Sequence, residues 1–396
     1  MGVLSDQCAA MLESSSWIRR MFETGMELKK QHGADKVSDF SLGNPDLPPP
    51  PEVAGGLREL EANLNRPFSF GYMPNCGFDW ALRRLAAYLS EEQGVKLEEG
   101  DLMLGCGAAG CMNAFLKAVL NPGDEILCIA PYFVEYGAYV SNHGGVLRPV
   151  PAKQADFSPD LPALEKAFGP KTRGIIINSP NNPTGQIYSK DDLAALAELL
   201  RRKSREYKRP IFLLSDEPYR FLAYDGAEVP AVLPLYEYAV VLGSFSKSLS
   251  LPGERIGYLA LAPHMPDKAL LRSGAITANR TLGFVNPPLV GQYLLKHALG
   301  KHVDLNVYAA RREVMTQTLT AAGYEFIKPR GAFYFFPKAP GGNDTEFVRR
   351  LAEELVLAVP GSGFGMPGFF RLAFCVSEAE ISRALDGLKR ARAHFA

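Results

Sequence analysis

Four near-continuous apolar runs constrain this fold more than any other feature: Ile126-Leu-Cys-Ile-Ala130, Gly174-Ile-Ile-Ile177, Ile211-Phe-Leu-Leu214 and Ala239-Val-Val-Leu242. Each has strand length, and a strand buried on both faces of a mostly parallel sheet reads as a run without polar alternation. Between two of them, Asp191-Asp-Leu-Ala-Ala-Leu-Ala-Glu-Leu-Leu-Arg-Arg202 has acid at its start, base at its end and strong helix formers between. That is the pattern of a crossover helix. The chain is therefore expected to be α/β.

Polar residues cluster where these runs stop. Asn178 to Gly185 follows one run, Asp216 a second and Ser244-Phe-Ser-Lys247 a third. All three sets thus fall at carboxyl ends of neighbouring strands, the edge where open α/β sheets bind ligands. A lysine amine that is desolvated or placed beside another cation loses its proton near neutral pH and attacks aldehydes to form a Schiff base. Lys247 has Ser244 before it and Arg255 after it, which together could hold an anion. Alone, a lysine is usually a solvated surface group. Leu102-Met-Leu-Gly-Cys-Gly-Ala-Ala-Gly-Cys111 reads as strand, glycine turn and a helix through Met112 to Leu120. Free N–H groups at such a helix start bind phosphate, although a glycine turn is equally the entry to a core helix. Asp216 alone would be a strand-end turn residue.

The tail differs. Ser377-Glu-Ala-Glu380 has capping-box spacing, followed by apolar Ile381, Ala384, Leu385 and Leu388 at helical intervals. Segments 331–336 and 370–375 look like strands with the glycine-rich loop 360–365 between, and the prolines at 48–51 mark a stiff boundary. A large domain is expected over 52–305, with a smaller α+β domain built from 1–51 and 306–396.

Lys+Arg and Asp+Glu both total 43, so no basic footprint argues for nucleic acid or a membrane surface. The cysteines at 8, 76, 106, 111, 128 and 375 form no metal-ligand spacing and read as reduced core thiols. No metal is expected. Met1 to Phe22 lacks the apolar region of a signal peptide, Asp6 stands where an acylation motif beginning Met1-Gly2 wants Ser or Thr, and no apolar run approaches a membrane span. The cytoplasm is the expected compartment.

Taken together, Ser41-Leu-Gly-Asn-Pro-Asp46, Asn181-Asn-Pro-Thr-Gly185, Asp216-Glu-Pro-Tyr219, Ser244-Phe-Ser-Lys247 with Arg255, and Phe370-Arg-Leu-Ala-Phe374 stand in an order that resembles the class I/II aminotransferases of pyridoxal-phosphate (PLP) fold type I. The resemblance spans nearly the whole chain. It implies pyridoxal 5′-phosphate, with Lys247 forming the internal aldimine and shuttling a proton as base and acid. Asp216 would face the pyridine nitrogen, and Tyr219 and Asn182 the phenolic oxygen. Gly107, Ala108, Ala109, Ser244, Ser246 and Arg255 would hold the phosphate. Phe133 would stack on the ring, in preference to Tyr132. Tyr72 would reach the phosphate of the neighbouring subunit, making a homodimer the working unit. Arg371, with Gly43, Asn44 and Asn182, would bind the substrate carboxylate, since a guanidinium forks onto a carboxylate as lysine cannot.

The implied activity is ping-pong transamination between an L-amino acid and a 2-oxo acid. A β-lyase of the same fold would keep every motif, because the cofactor supplies the reactivity. A ligand-sensing regulatory module would need a DNA-binding extension, and none is expected from this sequence. In aspartate-specific relatives an arginine upstream of Asn-Pro-Pro reads the distal carboxylate. Here Arg280 precedes Asn286-Pro-Pro288 one place out of register, with Thr281 at the matching position.

Overall fold

The apolar runs form the strands expected of them. In a computed structural model that describes residues 3–13 and 17–395, twelve strands follow in chain order: β1 (Ser38–Asp39), β2 (Leu102–Cys106), β3 (Glu125–Ala130), β4 (Val146–Pro151), β5 (Thr172–Asn178), β6 (Phe212–Asp216), β7 (Ala239–Ser244), β8 (Ile256–Leu261), β9 (Tyr334–Phe335), β10 (Val356–Leu357), β11 (Val359–Pro360) and β12 (Phe370–Ala373). Met1 and Gly2, where the acylation motif was weighed, lie outside the described residues. Seven strands make one sheet in the order β2-β8-β7-β6-β5-β3-β4. Pairings from β4 through β7 are parallel, and only β8 runs against its neighbours β7 and β2.

Every residue of β6 and β8 is buried, which explains their lack of polar alternation. The crossover between β5 and β6 is the helix Lys190–Glu206, capped by Ser189 Oγ accepting from Asp192 N at 3.0 Å, with Asp191 and Asp192 in its first turn. Reversal of β8 brings Gly257 under the turn at Gly107. A side chain at 257 would put its Cβ 2.5 Å from the Gly107 carbonyl carbon, so only glycine lets the two backbones approach.

A second core gathers Phe333, Tyr334, Phe335, Phe347, Phe364, Phe370, Leu372 and Phe374 with Phe40 from the N-terminal segment and Tyr219, Leu222 and Tyr224 from the middle of the chain. It surrounds the sheet β11-β12-β9, while β1 pairs in parallel with β10. Several expectations for this region need correction. The tail helix breaks at Ala384 into Glu378–Arg383 and Leu385–Ala393. Ser377 Oγ caps the first of these by accepting from Glu380 N, but the Glu380 carboxylate bonds Asp39 N at 2.8 Å rather than closing a capping box. It spends its acceptor on tying the N-terminal segment to the tail. The two expected strands are short, β9 having two residues and β12 four, and Ala332 before β9 holds a positive φ of 53°. The glycine-turn helix begins at Gly107, not Met112. Of the cysteines, all free, Cys8 is exposed and Cys76 and Cys106 are half-buried, leaving Cys111, Cys128 and Cys375 as core thiols.

Candidate active site

Strand register brings the three polar clusters together. Asn178 pairs with Asp216, and Ser244 pairs with Gly257 of β8, so the ends of four adjacent strands share one rim. A cavity of about 300 Å³ opens there, lined by Asn182, Asp216, Tyr219, Ser244, Ser246, Lys247 and Arg255 from that rim, Ala108 and Ala109 from the first turn of the helix Gly107–Val119, Phe133 from the loop after β3, and Gly43 and Arg371 from the side of the second core. Asn178 stitches the rim: its Nδ2 donates to Asp216 O at 2.8 Å and its Oδ1 accepts from Asn182 N at 2.6 Å.

Lys247 Nζ donates to Gly43 O at 2.7 Å. Burial pulls its pKa down to about 8, the Arg255 and Arg371 cations push the same way, and Cys375 opposes them. The amine is thus poised to be a neutral nucleophile or base near neutral pH.

Asp216 is buried, and Tyr136 Oη donates to its Oδ2 at 2.5 Å. Burial raises the carboxyl to about 7, against the opposing Tyr136 hydrogen bond, with Glu217 raising it further. No cation among the described residues pairs with this carboxyl, and a protonated ring nitrogen in the cavity would supply one.

At the other end, the helix Gly107–Val119 points its free N–H groups at the space beside Arg255. Gly107 has φ +72°, and a Cβ there would lie 2.8 Å from Arg255 Nη2, so its missing side chain makes the room the guanidinium occupies. A helix start, two serine hydroxyls and an arginine are the donor set a phosphate requires.

Arg371 lies on β12, the middle strand of its sheet, and is 1% exposed, so it is neither an edge-strand nor a solvated residue. Its Nη1 donates to Asn182 Oδ1 at 3.0 Å and its Nη2 to Ser41 O at 2.5 Å, while Nε has no hydrogen-bond partner among the described residues. The guanidinium carbon sits 4.7 Å from the Tyr334 ring centre and 4.9 Å from that of Phe364. No carboxylate among the described residues pairs with it. A buried cation without an anion is costly unless a ligand brings one.

Some expected residues lie elsewhere. Gly107 contributes through Arg255, and Asn44 is not part of the cavity wall. Tyr132 packs against Gly365, so of these two neighbours it is Phe133 that lines the cavity. Tyr72 is 93% exposed in the single protomer, and Arg280 is exposed near the end of the helix Lys268–Thr281. Conversely, Met112, Tyr136, Tyr139, Asn178 and Tyr334 line the cavity without having been singled out. Tyr136, three residues past Phe133, could have been found from the turn-helix spacing, whereas Tyr334 is masked by the aromatic run around it.

A cavity with a depressed lysine, an uncompensated carboxyl, a phosphate cradle and an unpaired buried arginine fits pyridoxal phosphate with an amino acid. Comparison with known proteins agrees. The family described as aminotransferase class I and II matches residues 35–388. A probable aspartate/prephenate aminotransferase of Thermus aquaticus is 30% identical over 92% of this chain and 94% of its own. The aspartate aminotransferase of Thermotoga maritima is 31% identical over 90% of this chain and 91% of its own. Among solved structures, an amino transferase from Eubacterium rectale superposes with a TM-score of 0.95 at 37% identity, covering all of both chains. The Thermus thermophilus aspartate aminotransferase with maleate gives 0.86 at 27% identity over 99% of this chain and 100% of its own.

Proposed function

The chain belongs to the class I and II aminotransferases, PLP-dependent enzymes of fold type I that exchange an amino group between an amino acid and a 2-oxo acid, and from that premise we propose how its own residues divide the work. Pyridoxal phosphate supplies the electron-accepting ring that makes the substrate Cα–H bond breakable. Lys247 Nζ would take that proton and return it on the cofactor side, at C4′, before the 2-oxo acid leaves, which its lowered pKa supports. Asp216, braced by Tyr136, keeps the ring nitrogen protonated. Tyr219 and Asn182 hold the phenolic oxygen. Ala108, Ala109, Ser244, Ser246 and Arg255 hold the phosphate with the Gly107 turn, and Phe133 packs on the ring.

Arg371 holds the substrate α-carboxylate. The single observation that carries this reading is its buried guanidinium, free of any carboxylate and facing the same cavity as Lys247. Gly43, which lines the same cavity, completes that pocket. Under the same reading 52–305 forms the large domain, and 1–51 with 306–396 the small one. Two copies make the working unit, an assembly favoured by the exposed aromatics Phe68, Phe70 and Tyr72. Tyr72 then serves the neighbouring site. No described helix is long and apolar enough to cross a membrane, and the free thiols favour a reducing cytoplasm. The direct test is a screen of amino donors against 2-oxoglutarate and pyruvate with the keto-acid products identified. Net release of ammonia with a 2-oxo acid and no amino transfer would overturn it.

A further inference from the structure

Tyr219 and Tyr334 come from positions 115 residues apart, and their hydroxyl oxygens stand 2.8 Å from each other. Both are buried, at 5% and 2% exposure. Among the described residues neither hydroxyl bonds any other protein group. Two phenols carry two protons but share one hydrogen bond, so one proton is left over for the cavity. Which tyrosine keeps it depends on which one donates.

The placement of Arg371 makes Tyr334 the donor, and Gly43 fixes where its hydroxyl sits. Its ring lies 4.7 Å from the Arg371 guanidinium carbon, and a cation at that distance strengthens a phenol as an acid. Its hydroxyl is fixed in place over Gly43, where a Cβ would fall only 2.0 Å from Tyr334 Oη. Burial raises both phenols, Tyr334 to about 12 and Tyr219 well above the usual 10, and Arg371 opposes burial at each, while of the two only the Tyr334 ring lies face-on to the guanidinium. The stronger acid donates to the weaker one.

We propose that Tyr334 is a positioning residue: it donates to Tyr219 Oη and so leaves the Tyr219 proton free to point at the phenolic oxygen of the cofactor. The inference rests on the reading that Tyr219 faces that oxygen. Accepting from Tyr334 also polarises Tyr219 and strengthens its own donation. A hydrogen bond given to the phenolic oxygen draws charge from it, so the conjugated nitrogen loses its proton at lower pH. Without Tyr334 the midpoint should rise.

The test is a double-mutant cycle read in the pH midpoint of the bound cofactor's visible absorption, supported by the affinity of the apoprotein for pyridoxal phosphate. Tyr334→Phe should raise the midpoint by about 0.4–1 pH unit, the worth of one hydrogen bond, in the same direction as Tyr219→Phe. Added to Tyr219→Phe, it should change the midpoint no further. A midpoint unmoved by Tyr334→Phe while Tyr219→Phe moves it overturns the Tyr334 role alone, as does an undiminished shift in the Tyr219→Phe background. A midpoint unmoved by Tyr219→Phe overturns both readings. Should Tyr334→Phe not fold, Gly43→Ala displaces the same hydroxyl and should shift the midpoint upward too; no shift would count against the inference.

Discussion

Lys247 Nζ donates to the Gly43 carbonyl at 2.7 Å, so the reactive amine is held by backbone 204 residues away, in the segment that also gives Ser41 O to Arg371. One stretch of chain therefore positions both the lysine nitrogen proposed to move the proton and the arginine proposed to bind the carboxylate. Its position is fixed in turn by Asp39, whose N–H is held by Glu380 and whose Oδ1 accepts from Ser41 Oγ at 2.6 Å.

The lowered pKa of Lys247 has a consequence for the apoprotein. A lysine held below its unfolded value costs the fold stability at pH under about 8, and the cost disappears as pH rises toward the ordinary value of 10.5. The stability advantage of apo Lys247→Met over wild type should therefore shrink between pH 8 and 10 in thermal melts. A constant difference would place the amine in water.

Asp216 behaves in the opposite sense. Its carboxyl is raised to about 7, so the apo fold binds more protons than the unfolded chain between the ordinary carboxylate range and pH 7 and loses stability as pH rises through that window. Apo Asp216→Asn should melt no lower than wild type at pH 8, yet its turnover should fall by roughly 10²–10³ or more, because preorganised charge at the reacting group is lost. Near-normal turnover would make this carboxyl a structural strand-end residue.

Much of this site was legible because polar residues at the ends of buried strands have little reason to be there except a ligand. Asp216, Ser244 and Lys247 were readable on those grounds, and Asn182 and Arg255 from the order of the motifs. Tyr334 and Tyr136 were not, since a tyrosine inside an apolar run looks like core until long-range packing shows where its hydroxyl ends. Reversal of β8 was equally hidden: Ile256–Leu261 is buried on both faces whichever way it runs. The break at Ala384 went unseen because both tail helices keep one apolar stripe, with Ile381, Ala384 and Leu388 all buried.

Arg371→Lys should reduce kcat/KM for α-amino acids by about 2–5 kcal/mol, roughly 30- to 5,000-fold, while amines without a carboxylate lose far less. Lysine keeps the charge but cannot span both Asn182 Oδ1 and a substrate carboxylate from the Arg371 position. Equal losses on both substrate types would make Arg371 structural, and Arg280 would be the next residue to examine.

Tyr72, 93% exposed in one protomer, gives a test of the assembly. Sedimentation should find a dimer, and Tyr72→Phe should weaken pyridoxal phosphate binding about 10- to 100-fold, the worth of a hydrogen bond to a charged group. An unchanged Kd would remove Tyr72 from the phosphate site.

The central claim is that Lys247 is the amine at which this chemistry happens. Borohydride reduction of the holoenzyme followed by peptide mapping tests it most directly: the pyridoxyl group should be found on Lys247, in the peptide carrying Ser244 and Ser246, with the visible absorption bleached in step. Recovery of the label on a different lysine, or full bleaching with no labelled peptide, would contradict the account.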